Sequence, residues 1–416
     1  MNLKLCYTFA VLLVGSCFAA AGPATRYDVT LTVDLKKHLI QGREEIALSH
    51  DPGVLEWQKQ PGLRVERFTS SSADITPMET AVRAEIRSAG AHRMRFEYTV
   101  TPTRGLRWLP NGNGFYAAFY CEAWMVCFTA PEQLGSLRLE IVIVGSVGTA
   151  VGPGKLARTW RDRHGRHFVF EVPDPTQTYL FSFCVANMLP TSQGNLTLYS
   201  ADGGHNRALE KTADAAVFMR EKAGVDAIAS GYVQAFAPQP GLAQEASGMA
   251  LLSEPYLSRL EAEDDVVLMA HELAHQWWGV MVGIRSWSDF WLNEGMAQFM
   301  SIAYLERERG HMAYADRMQK LRIEMDEIRA KGLDRPLHFE RWTDVRDALG
   351  TVPYVKGALF LDRLREEVGE SAFWRGIALY TSRNAHQLVD SRDFQRALEE
   401  SSGRDLSIAF QEVNGN

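Results

Sequence analysis

The chain is short of several things, and each shortage closes a class of explanation. Basic residues are not in excess: 44 Lys and Arg stand against 51 Asp and Glu, a formal net charge of -7. No cationic stretch stands out to neutralise phosphates, which argues against a nucleic-acid partner. Cysteine is scarce, five in 416 residues, and Cys6 and Cys17 fall in the extreme N-terminal segment. The remaining Cys121, Cys127 and Cys184 permit at most one disulfide, so the chain is no disulfide scaffold. Buried free thiols at Cys121 and Cys127 are the equal alternative. No CxxC pair or Cys/His cluster offers a second metal site, and internal repeats and low-complexity tracts are absent. The apolar run Leu5 to Val14 is too short to span a bilayer stably.

That N-terminal run reads as an export signal rather than as part of the fold. Met1 to Lys4 is a short n-region with one Lys, Leu5 to Val14 is mostly apolar, and Ala19-Ala20-Ala21 offers small residues for cleavage. Residues 1–21 are therefore expected to be a secretory signal peptide. An alternative takes Val14-Gly15-Ser16-Cys17 as a lipoprotein signal, with Cys17 carrying a lipid anchor. Either route leaves an exported protein, periplasmic or extracellular, with no transmembrane segment in the mature chain.

At this length, with 46% hydrophobic residues, the chain can build more than one core. Apolar residues alternate at Tyr27, Val29, Leu31 and Val33, and again at Leu137, Leu139, Ile141 and Ile143, the period of half-buried strands. Clusters such as Pro110-Asn111-Gly112-Asn113-Gly114 and Gly152-Pro153-Gly154 punctuate the runs as turns. Residues 22–203 are expected to form a β-rich domain, a sandwich or saddle of mostly antiparallel strands. Near Ala201-Asp202-Gly203-Gly204 the period becomes helical, and residues 204–416 read as a mostly helical domain. Helices are expected at Asn206–Ala223, Asp264–Val282, Ser288–Arg309, Tyr314–Arg329, Tyr354–Val368, Ser371–Ser382 and Ser391–Ser401. The fold class is thus α+β, and the chain stops soon after the last helix.

The chemistry is concentrated in His271-Glu272-Leu273-Ala274-His275. Two histidines four apart share one helix face, because four steps of about 100° nearly close the circle. Both imidazoles can then hold one zinc ion, with Glu294 from the following helix as third ligand and the fourth position open to water. Glu272 lies beside that position and is the natural general base. The bland alternative is a pair of surface histidines. The apolar setting, Val266 to Ala270 before and Trp277-Trp278 after, makes unpaired histidine and glutamate costly there and favours the metal.

The run from His271 to Gly279, with Trp291-Leu292-Asn293-Glu294-Gly295, resembles the aminopeptidase N family of gluzincin zinc metallopeptidases. That family places eighteen residues between HExxH and its liganding Glu, as here. Tyr354-Val355-Lys356-Gly357 resembles its Tyr-x-Lys-Gly segment, and Tyr179-Leu180 and the β-rich first part are also similar. The resemblance implies one Zn²⁺, a thermolysin-like catalytic domain, a peptide or protein substrate, and Tyr354 as donor to the tetrahedral intermediate. Trp277, Trp278, Trp287 and Trp291 are more simply core packing than a binding wall.

Two departures concern the substrate. Family members that remove single residues carry a Gly-x-Met-Glu-Asn strand whose glutamate binds the free α-amine. The matching stretch is read as Gly248-Met249-Ala250, which puts Ala250 in the glutamate's place; Glu245 or Glu254 is the alternative source of a carboxylate. The family's other amine-side residue falls on Ala117, or on Glu122 if the register shifts. The family's C-terminal helical domain is expected to have no counterpart, and the cleft is expected to be more open for it. The reading is an exported zinc peptidase with altered amine recognition. Endopeptidase action or hydrolysis of N-blocked peptides is the alternative, and a non-catalytic peptide-binding homologue the rival from another class.

Overall fold

The alternating residues pair into sheets in a computed structural model that describes residues 24–110, 112–145, 148–342 and 350–415. The expected leader, residues 1–21 with Cys17, lies outside these residues. The largest sheet has seven strands, in the spatial order Lys155–Arg161, Arg166–Thr176, Gly135–Ile143, Thr25–Asp34, Leu39–His50, Gly90–Val100 and Leu63–Ser70. Its pairings are antiparallel with one exception. Thr25–Asp34 and Gly135–Ile143 run parallel, with Tyr27 opposite Leu137, Val29 opposite Leu139, Leu31 opposite Ile141 and Val33 opposite Ile143. The two clearest alternations in the sequence are therefore neighbours, and their apolar faces share one buried core with Ile46, Phe96 and Phe170. A three-stranded and a four-stranded sheet complete this β-rich part.

The second part begins earlier than the change of period. Leu189–Gln193 and Leu196–Ser200 belong to its five-stranded sheet, followed in order by Tyr232–Ala237, Met249–Ser253 and the edge strand Ala243–Ala246. The break near residue 203 marks the first helix rather than the start of that sheet. A boundary at 203 would cut the hydrogen-bonded pair Leu196–Ser200 and Tyr232–Ala237.

Among the described residues the α-helices are α1 (Asn206–Ala223), α2 (Glu254–Glu263), α3 (Val266–Ala274), α4 (Trp291–Arg309), α5 (His311–Ala330), α6 (Thr351–Val368), α7 (Glu370–Arg383), α8 (Ser391–Ser402) and α9 (Ser407–Gln411). α3 is shorter than its apolar run predicts. After Ala274 the chain tightens, with Gln276 N–H donating to Leu273 and Trp277 N–H to Ala274, and Val282–Ile284 leaves as a strand beside Gln387–Val389. None of the described helices is long and apolar enough to cross a membrane.

The tryptophans pack as core. Trp277, Trp278 and Trp291 are fully buried, and their indole N–H groups donate to the Val225 carbonyl, Thr381 Oγ1 and Ser391 Oγ. Large aromatics need such partners for their polar tips when buried. A second device sets the spacing of the helices. A Cβ on Gly295 would lie 2.8 Å from the Gly357 Cα and 2.9 Å from the Pro353 carbonyl oxygen. Only a glycine pair lets α4 and α6 touch backbone to backbone, and each glycine sits beside a site segment, Glu294 on one helix and Tyr354 one turn earlier on the other.

Candidate active site

α3 brings His271 and His275 together, and α4 brings Glu294 against them. His271 Nε2 and His275 Nε2 are 3.0 Å apart, and Glu294 Oε2 is 3.2 Å from the first and 3.4 Å from the second. Glu294 Oε2 accepts no hydrogen bond there and is buried. Three acceptor atoms thus face one point at mutual distances of 3.0 to 3.4 Å. Tetrahedral zinc with bonds of about 2.0–2.1 Å holds its ligand atoms roughly 3.3 Å apart, so the triangle fits that ion.

The electrostatics favour the same ion. Glu245, Glu272 and Glu294 are all buried, and among the described residues none of the three has a Lys or Arg ion pair. Burial alone would lower His275, yet Glu245, Glu294 and Glu272 outweigh it and carry the imidazole up to about 10. Burial would raise Glu294, but His275 and His271 hold it down at about 2. The carboxylates therefore demand a positive charge at the centre of the triangle. A divalent cation supplies it while leaving both imidazoles neutral, as ligands must be.

Around the triangle, each group has a support. His275 Nδ1–H donates to Asn293 Oδ1 at 2.5 Å, with the Trp278 carbonyl at 3.2 Å, which fixes Nε2 inward. Asn293 Nδ2 in turn donates to Tyr179 Oη at 2.9 Å and to Glu245 Oε1 at 3.3 Å. Tyr354 Oη donates to Glu294 Oε1 at 2.6 Å, and its ring stacks on His271 at 5.9 Å between centroids. Burial pushes the Tyr354 hydroxyl well above its ordinary range, with Glu294 adding to the effect, so it stays a donor. Burial likewise pushes Glu272 well above the usual carboxylate range, and its Oε2 has no partner.

These residues line a cleft of about 440 Å³. His271, Glu272, His275, Glu294 and Tyr354 all reach it; Gly248, Met249 and Ala250 do not. Met249 and Ala250 are fully buried in the sheet, and Gly248, at φ +71°, makes the turn between the two strands. The carboxylate comes instead from Glu245 on the edge strand, directly across from Ala250. Side chains directly opposite in an antiparallel pair leave the same face, so Glu245 reaches the cleft on the face where Ala250 leaves room for α3. Carboxylate oxygens of Glu245 and Glu272 and a ring nitrogen of His275 lie within 4.8 Å of one another. The expectation that Gly248, Met249 and Ala250 meet the substrate is therefore corrected: Gly248-Met249 is a turn and a strand start, and the carboxylate in the cleft lining is that of Glu245.

Other positions missed from the sequence explain how Glu245 is held. Gln276, the residue after His275, accepts from Gly248 N–H at 3.0 Å and donates to the Ala246 carbonyl at 3.1 Å, pinning the hairpin to the end of α3. From the β-rich part, Phe119 enters the cleft with φ +60°, whereas Ala117 is buried in a short strand and Glu122 lines a neighbouring cavity. Glu254 sits at the start of α2 and is not among the residues that line the cleft. Cys121 and Cys127 form a disulfide and Cys184 is a buried free thiol.

Residues 242–412 match the peptidase family M1 domain. Aminopeptidase N of Streptomyces lividans is 31% identical over 202 residues, 44% of this chain and 23% of that protein. Endoplasmic reticulum aminopeptidase 1 of Homo sapiens is 32% identical over 127 residues, 30% of this chain and 14% of that protein. The chain thus matches under a quarter of the length of these curated relatives. In fold, the M1 zinc metallopeptidase from Deinococcus radiodurans is similar over 94% of this chain and 93% of that one, with a TM-score of 0.76 at 19% identity.

Proposed function

From the match of residues 242–412 to the peptidase family M1 domain, we propose that the chain is a zinc-dependent aminopeptidase that removes residues from free N-termini. The observation that carries the mode is Glu245: its carboxylate shares the cleft with Glu272 and His275. A buried carboxylate on the edge strand, beside the hydrolytic groups, is a receptor for an α-ammonium. It sets the scissile bond one residue away from the free amine. The Streptomyces relative named aminopeptidase N and the Deinococcus structure with a Tyr-Ser-Ala substrate support a peptide substrate.

His271, His275 and Glu294 would hold the zinc, which when bound supplies a Lewis acid that activates water and polarises the scissile carbonyl. Glu272 takes the proton of the attacking water and passes it to the departing amine. Tyr354 Oη, kept protonated, donates to the carbonyl oxygen as negative charge develops there. Asn293 keeps His275 in place and Gln276 keeps Glu245 in place, so both act as positioning residues.

Aminoacyl reporter substrates compared with N-acetylated, internally quenched peptides test the mode. Free-amine substrates are expected to be cleaved, and Glu245→Gln is expected to raise their KM about ten- to a hundredfold, the worth of one charge-assisted hydrogen bond. Efficient cleavage of the N-acetylated peptides by the native chain would overturn the assignment. Glu272→Gln is expected to lower kcat by about 10²–10⁴ with zinc content unchanged; unchanged hydrolysis would remove the assigned mechanism and leave a peptide-binding homologue.

Export belongs to the same reading. It is supported by the signal-like residues 1–21 and by the Cys121–Cys127 disulfide, since disulfides persist in oxidising compartments. The mature N-terminus, read by mass spectrometry after cell fractionation, separates cleavage after Ala21 from a lipidated Cys17 and from retention of the leader in the cytoplasm.

A further inference from the structure

Beyond the three ligands the cleft continues in a direction that the helices define. His275, at the end of α3, meets Asn293 near the start of α4, so the two helices run antiparallel. Residues before His271 and after Glu294 therefore share one end of the cleft, and Glu245, bonded to Asn293, marks the other. Leu268 lies three residues before His271. Gln298 lies four after Glu294, one turn or about 6 Å further along the same face. Both line the cleft, and Arg317 of α5 lines it with them.

Arg317 and Gln298 are unusual in what they lack. Arg317 Nε and Gln298 Nε2 are both buried, and neither has a hydrogen-bond partner. Among the described residues the Arg317 guanidinium makes no ion pair, and it is the only cationic side chain lining this cleft beside the histidines. Asp265 also lines the cleft, but its carboxylate is engaged by Arg259 at 3.3 Å. A buried N–H left unpaired is costly, so these donors are arranged for an acceptor that arrives with the ligand. A forked cation and an amide donor lining one cleft match a carboxylate, which can accept from both.

We propose that Arg317, assisted by Gln298, is a carboxylate-binding subsite on the leaving-group side of the scissile bond. With the free amine on Glu245 and the carbonyl at the ligand triangle, the chain of the substrate runs towards Arg317. The subsite selects peptides that present a carboxylate one or two residues past the cut. That carboxylate is either the C-terminus of a di- or tripeptide or an acidic side chain. The proposal rests on the aminopeptidase reading for the direction of the substrate.

Equilibrium binding to the zinc-loaded, full-length Glu272→Gln chain tests it without hydrolysis. The probes are Leu-Ala-Ala, its C-terminal amide, the amide of Leu-Asp-Ala, and N-acetyl-Leu-Ala-Ala. At least one carboxylate probe is expected to bind about ten- to a hundredfold more tightly than the Leu-Ala-Ala amide. Arg317→Gln should erase that preference, and Arg317→Lys should retain part of it. Preference for the free acid assigns the C-terminus as the source, and preference for Leu-Asp-Ala amide assigns the side chain. Equal binding of the acid and amide probes, or a preference that survives Arg317→Gln, overturns the subsite and leaves the aminopeptidase reading intact. Failure of that reading shows separately, as N-acetyl-Leu-Ala-Ala binding as tightly as the free-amine peptide.

Discussion

The β-rich part and the catalytic part each bury glutamates, and they treat them in opposite ways. Glu44 lies in the core of the large sheet, 3% exposed, with Val126 N–H donating to Oε2 at 2.9 Å and no partner for Oε1. Burial pushes it up to about 8. Glu294, equally buried between α3 and α6, is held at about 2 by His275 and His271. The residue type and the burial are the same, so the neighbours decide. A buried carboxyl with no cationic neighbour keeps its proton as the cheaper state, while one facing two imidazoles is an anion waiting for a cation.

Three substitutions break or sharpen this contrast. The largest effect is expected from Glu294→Gln, which removes the anion from the triangle. Zinc affinity should fall by more than the roughly 10–100-fold that loss of an outer partner costs, and hydrolysis should fall with it. Chelator-competition titration measures the first, and full zinc retention would sink the ligand assignment. Next is Asn293→Ala, which leaves all three ligands but frees the His275 ring. Zinc affinity should weaken about 10–100-fold, with Glu245 also losing a donor; an unchanged titration would show that packing alone orients the imidazole.

The smallest effect is on Glu44, and its sign follows from proton linkage. The unfolded carboxyl titrates near 4.5 and the folded one near 8, so between these values the folded state holds a proton that the unfolded state has released. This stability is complete below about 4.5 and is lost as pH rises towards about 8. The slope is at most about 1.4 kcal/mol per pH unit. Glu44→Gln keeps an acceptor for Val126 and removes the slope. Denaturant unfolding at several pH values checks this, and an unaltered pH dependence would place the titrating group elsewhere.

Much of the site was readable from residue spacing because the relevant geometry is local. The four-residue interval of His271 and His275 fixes their common face on any helix; Glu294 does lie on the next helix, but the connection, residues 275–290, is longer than the apolar run predicts and carries the strand Val282–Ile284. The alternations at Tyr27–Val33 and Leu137–Ile143 were legible as strands for the same reason, though their parallel pairing was not. Glu245 was out of reach. Which residue between 243 and 250 faces the cleft depends on where the hairpin turns and which strand lies at the edge. Those are set by Gly248 at φ +71° and by Gln276 reaching across from α3. The glycine pair Gly295 and Gly357 stood in plain view within two motifs, but its meaning, a backbone contact between α4 and α6, exists only once both helices are packed.

The sequence by itself put His271 and His275 on one face, because helical periodicity turns spacing into a shared face, and marked Glu272 and Glu294 beside them; the part of Tyr354 came only from the resemblance of its segment to a known family. Tertiary structure decided what that chemistry faces. Strand register put Glu245 in the cleft where Ala250 had been expected, and the packing of α4 and α5 put Gln298 and Arg317 in its lining. Register and packing are relations between segments distant in the chain, and a one-residue slip in a strand reverses which side chain faces the cleft.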